Sequence, residues 1–128
     1  MLIDTNIVSY FYKKDTRAVL YEKHLVGRRL FVSFMTVAEL YKWPFERNFS
    51  EAKRQQLVEF LRNYTVLPYD DALAWCWAEL VAKTRRDRPL SLPDSWIAAT
   101  ALRHRFPVVT HNRQHFNGIP GLTVLSEA

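Results

Sequence analysis

Short apolar runs alternate along this chain with longer stretches whose apolar residues recur at helical spacing, and that rhythm sets the expected order of elements. The opening "LID" reads as a short buried strand, and Asn6 to Lys14 as a helix with Ile7, Tyr10 and Phe11 on one side. Thr16 is placed to cap a second helix carrying Val19, Leu20 and Val26. "RLFVSF" (29–34) is the next strand. A helix follows from Met35 to about Arg47, which Pro44 ends or bends. Ser50 before Glu51 marks another start, and Leu57, Phe60, Leu61 and Tyr64 keep an i, i+3, i+4, i+7 spacing. "YTVLPY" (64–69) is a third strand. Leu73, Cys76, Trp77, Leu80, Val81 and Thr84 then form one stripe of the clearest helix. Residues 94–105 are helical, "FPVVT" (106–110) is a strand, and "LTVL" (122–125) is the last one.

Strands that alternate with helices predict an α/β fold: a three-layer α/β/α sandwich around a mostly parallel sheet of four to five strands. At 128 residues and 48% apolar content, a single domain over 1–128 is expected, with a core large enough to need no staples. Cys76 is the sole cysteine, so no internal disulfide can form; it belongs to the core stripe and fits a reducing, cytoplasmic setting. No apolar stretch approaches the roughly 20 residues of a membrane span, and no signal peptide is visible.

Charge adds a location. The net charge is +5. Between Lys83 and Arg113 the bases are Lys83, Arg85, Arg86, Arg88, Arg103, Arg105 and Arg113, against only Asp87 and Asp94, so this quarter of the chain holds the entire excess. Such a cluster is either a solvated helix end plus loop or a polyanion-binding face.

Three carboxylates stand out because of what surrounds them. Asp4 follows the first strand, in "LIDTN". Glu39 lies one helical turn after the second strand, with Met35, Thr36 and Trp43 as helical neighbours. Asp94 shares a helix face with the apolar Ile97, Ala98 and Ala101, so it should point inward. Each has a structural explanation too. Asp4 can cap the first helix, and Thr36-x-x-Glu39 and Ser91-x-x-Asp94 have the form of capping boxes. Parallel topology nevertheless brings strand exits to one rim, where ligands bind. If the three converge within about 4 Å, each pair repels by about 4 kcal/mol, more than a cap returns. An all-oxygen cluster of this kind suits Mg²⁺ or Mn²⁺.

"LIDTN", "TVAEL", "DSWIAATAL" and "VVTHNRQHF", in this order over residues 1–125, resemble the PIN-domain family, specifically the VapC-type toxin ribonucleases of bacterial toxin–antitoxin pairs. The resemblance implies a PIN-like fold, Mg²⁺-dependent endoribonuclease activity, a small antitoxin partner that fills the cleft, and a homodimer. Carried over by motif, Asp4, Glu39 and Asp94 match the acidic metal-binding positions. Thr5 and Asn6 match the support of the first Asp, and Thr110 and Asn112 the last motif. Many relatives carry a further Asp where Asn112 or His115 stands here, so a second metal ion does not follow.

The implied reaction is attack of a metal-bound water on an RNA phosphodiester, with Glu39 orienting that water or taking its proton, leaving a 5′-phosphate and a 3′-hydroxyl. Arg85, Arg86, Arg88, Arg103, Arg105 and Arg113 would hold the RNA backbone, and Trp43, Trp75 or Trp96 would either stack on bases or fill the core. His111 and His115, four apart, could form a metal pair or make surface hydrogen bonds. The alternative function is an RNA- or antitoxin-binding domain with impaired catalysis, Asn112 being the lesion. A phosphoacceptor signalling domain fits poorly, since it needs paired acids after the first strand and a late Lys.

Overall fold

The computed structural model describes residues 1–84, 87 and 89–128. Five short strands, β1 (Leu2–Ile3), β2 (Phe31–Ser33), β3 (Thr65–Leu67), β4 (Val108–Val109) and β5 (Val124–Leu125), form one sheet in the order β3-β2-β1-β4-β5. Every neighbouring pair is parallel. The helices are α1 (Thr5–Lys13), α2 (Val19–Leu25), α3 (Phe34–Tyr41), α4 (Trp43–Glu46), α5 (Glu51–Leu61), α6 (Asp71–Lys83), α7 (Leu92–His104) and α8 (Arg113–Phe116).

The layering follows from the two-residue period of a strand. Leu2, Phe31, Val108 and Val124 face one core, built with Leu73 and Leu80 of α6, Ile97 to Ala99 and Ala101 of α7, and Phe116 of α8. Ile3, Val32, Val109 and Leu125 face the other, built with Ile7 and Val8 of α1, Tyr21 and Leu25 of α2, Leu40 of α3, and Leu57 and Leu61 of α5. Each fully buried aliphatic side chain contributes about 1.5–3 kcal/mol. Alanines at 98, 99 and 101 let α7 lie close on the sheet; there Thr100 Oγ1 reaches Ser33 Oγ at 3.3 Å. The expected three-layer sandwich is the observed fold, with all five strands parallel.

Three local expectations are corrected. Thr16 does not cap the second helix. Asp15 caps a 3-10 turn over Thr16–Ala18 by accepting from Arg17 N–H at 2.9 Å, and α2 begins at Val19. The buried stripe also differs: Ala18, Tyr21 and Leu25 are buried, while Val19, Leu20 and Val26 face solvent. The helix expected over 35–47 breaks into α3 and α4, with Pro44 in the first turn of α4, where a missing N–H costs nothing. Val81 lies on the exposed side of α6, whereas Cys76 packs on the core.

From β1 the chain steps outward through β2 to β3; β4 and β5 then lie on the opposite side of β1. The order therefore reverses between β1 and β4, and the crevice beyond their carboxyl ends is where such sheets bind ligands. Asp4 and Thr110 are the first residues past those two ends. Among the described residues no helix is long and apolar enough to cross a membrane.

Candidate active site

Asp4 ends β1 with an extended backbone and caps α1, its Oδ1 accepting from Thr5 N–H at 2.7 Å. A cap requires nothing more, yet Oδ2 also accepts from the Thr110 hydroxyl at 2.7 Å, across the β1–β4 crevice. Asp4 is 5% exposed. Burial pushes its carboxyl up from 3.8 to about 6; the bonds from Thr110 and Thr5 pull down, and the charges of Asp94 and Glu39 push up again. Both other carboxylates thus bear on the same spot.

Thr110 is fully buried and is the hub of the last motif. Its Oγ1 also accepts from Asn112 N–H at 3.0 Å and lies 3.5 Å from Asn6 Nδ2. Asn6 Oδ1 in turn takes His111 N–H at 3.3 Å, so α1 and the β4 exit are clipped together at long but paired contacts. From below, the buried Tyr21 hydroxyl lies 2.6 Å from His111 Nδ1 and 3.3 Å from Thr110 O.

Glu39 is not part of a capping box. Ser33 caps α3, accepting from Met35 N–H at 3.1 Å. Thr36, fully buried, instead stands 2.9 Å from Thr5 Oγ1, which donates to Glu39 Oε1 at 2.7 Å. Thr5 has one hydroxyl proton and gives it to Glu39, so Thr36 is the donor to Thr5. This relay fixes one oxygen of a half-buried carboxylate.

Asp94 is the third residue of α7, its N–H bonded to Ser91 Oγ at 3.2 Å. The Ser91 half of the expected box is present. The Asp94 side chain, 18% exposed, lies 3.1 Å from His115 Nδ1 through Oδ2. His115 comes from α8, whose Phe116 is buried in the core. This contact was not anticipated from sequence. Its only sequence signal is the His three residues past Asn112, where the resemblance notes an Asp. His111 and His115 do not form a pair: one faces Tyr21 and the other Asp94.

The expected convergence of three carboxylates within about 4 Å is also not formed. Among the described residues, no group of three or more His, Cys, Asp or Glu is already set to hold a metal ion. Glu39 and Asp94 each turn an oxygen to a partner of their own, Thr5 and His115. The donor set still suits a divalent cation: it is all carboxylate oxygen, with Asp4 buried and raised to about 6 and Glu39 and Asp94 half-buried.

The basic residues separate. Arg85, Arg86 and Arg88 lie outside the described residues. Arg103 does not border the crevice: nine residues along α7 from Asp94, about 14 Å, its Nη2 bonds Asp70 Oδ2 at 3.3 Å at the start of α6. Its Nε is buried without a partner among the described residues. Arg105 is the exposed left-handed C-cap of α7, at that same far end. Arg113 opens α8 beside Asn112 and is exposed. Of the tryptophans, Trp96 stacks on Trp77 at 4.9 Å within the core, Trp43 packs on Tyr12, and Trp75 is exposed.

A PIN domain family model matches residues 1–122. The chain belongs to the PIN-domain family. Within it, the chain is similar to ribonuclease VapC1 of Haemophilus influenzae (strain R2866), 30% identical over 94% of this chain and 92% of the relative. It is 31% identical to ribonuclease VapC4 of Mycobacterium tuberculosis over 74% of this chain and 75% of that one. Among solved structures, VapBC-1 from nontypeable Haemophilus influenzae superposes with a TM-score of 0.83 at 26% identity, covering 98% of this chain and 96% of that chain.

Proposed function

We propose that this chain is a metal-dependent endoribonuclease, the toxin of a toxin–antitoxin pair, acting in the cytoplasm as a single nuclease unit over 1–128. One observation bears most of the weight: a buried Asp4 at the sheet's switch point, held by Thr110 and sensing both Glu39 and Asp94. The ribonuclease relatives and the VapBC complexes among the solved structures support the same reading. A small antitoxin covering the crevice and a homodimer belong to it.

Asp4, Glu39 and Asp94 would hold the cation, Mg²⁺ or Mn²⁺. When bound, such a cation lowers the pKa of a water and offsets charge growing on the phosphate. The chain's own groups do the rest. Thr110 and the Thr5 amide aim Asp4 and offset part of the effect of its burial. The Thr36–Thr5 relay fixes Glu39, whose carboxylate takes the proton of the attacking water. Asn112 offers an uncharged amide beside the phosphate, and Arg113 a positive charge to the RNA backbone. The products would be a 5′-phosphate and a 3′-hydroxyl.

The test is cleavage of a structured RNA by the purified chain with Mg²⁺ or Mn²⁺, against chelator. Cleavage with metal that is lost in Glu39→Gln is the expected result. Binding of RNA without cleavage under any divalent cation would favour an impaired, binding-only domain.

A further inference from the structure

His115 is the candidate that the proposed reaction leaves without a role. It stands beside one acid of the crevice, on a one-turn helix whose position is fixed by the buried Phe116. Its Nδ1 is 3.1 Å from Asp94 Oδ2. That separation has two chemical meanings. It suits a hydrogen bond. It is also the spacing of two adjacent ligands on an octahedral cation, which at metal–ligand distances near 2.1 Å stand about 3 Å apart.

We propose that His115 supplies a nitrogen ligand to the cation held by Asp94, making this a mixed nitrogen–oxygen site that takes a transition-metal ion ahead of Mg²⁺. The inference rests on the metal-dependent reading above and deepens it. Mg²⁺ is hard, strict in geometry and reluctant to lose water, so an imidazole in its shell is unfavourable. Mn²⁺ and the later first-row ions accept imidazole more readily. The chain also has few charges with which to compensate. Position 112 is an amide rather than a carboxylate, so a neutral nitrogen donor adds a ligand without adding repulsion. His111 turns its Nδ1 to the Tyr21 hydroxyl, 2.6 Å away, whereas His115 turns its Nδ1 to Asp94.

Mn²⁺ is the probe. Binding is followed by electron paramagnetic resonance, and pulsed measurements on the bound ion read nitrogen coupling directly. Wild type should bind Mn²⁺ at least about tenfold more tightly than Mg²⁺ and show a coupling typical of directly bound imidazole. His115→Gln should lose the coupling and weaken Mn²⁺ by about tenfold or more. His115→Asp should lose the coupling too, yet bind Mg²⁺ more tightly than wild type does. Mn²⁺ bound without nitrogen coupling, or coupling that survives in His115→Gln, would overturn the role of His115 and leave the acidic site standing. Failure of wild type to bind either ion would overturn both.

Discussion

The Thr110 hydroxyl donates to Asp4 Oδ2 at 2.7 Å, joining the exits of two adjacent strands that are 106 residues apart in sequence. The bond closes the crevice floor and sets which way the first carboxylate faces. Thr110→Val keeps the shape and removes the donor, leaving a buried carboxylate oxygen short of one partner. The expected cost is about 1–3 kcal/mol, measured by denaturant unfolding in chelator. The Asp4 carboxyl should titrate higher still.

Asp4 also predicts a pH dependence. Its folded pKa, about 6, lies above the ordinary 3.8. The charged form is therefore disfavoured in the fold, and stability is lowest above about 6 and recovers as the pH falls toward 4. Between pH 7 and pH 5 this group should add about 1 kcal/mol in the absence of metal. Asp4→Asn should flatten that difference and, at pH 7 without metal, be at least as stable as wild type. A stability that changes by the same amount over this interval in both proteins would contradict the placement.

The Thr36–Thr5–Glu39 relay separates positioning from folding. Thr5→Val leaves Glu39 without its 2.7 Å donor at a half-buried site. The expected result is a kcat lowered by about 10–100-fold with KM little changed, while circular dichroism and the thermal midpoint stay close to wild type. Thr5→Ser should restore most of the rate.

Much of this was legible in the chain, and the failures have a common cause. The period-2 and helical patterns located the strands and the main helices because burial acts on every residue of an element. "LIDTN" could be read as a strand exit for the same reason. What could not be read were relationships across elements. Thr36-x-x-Glu39 has the sequence of a capping box, but Ser33 takes the cap, and only a fold that sets Thr5 beside Thr36 shows why. Asp94 and His115 meet because α8 doubles back after β4. Arg103 belongs to a charge cluster in one dimension, yet a 13-residue helix puts it about 14 Å from Asp94.

That distance gives a further prediction. Arg103→Ala breaks a contact with Asp70 between partly exposed side chains, so it should cost no more than about 1 kcal/mol and leave the salt dependence of RNA binding unchanged. Arg113→Ala should reduce the log–log salt slope by about 0.7 for a single-stranded substrate, with little effect on the thermal midpoint.

The central claim is that Asp4, Glu39 and Asp94 jointly hold a divalent cation. Mn²⁺ titration of wild type, Asp4→Asn and Asp94→Asn, each checked for folding in chelator, tests it most directly. The account predicts saturable binding by wild type and at least about tenfold weaker binding in each folded variant. Equal affinity in all three proteins would contradict it.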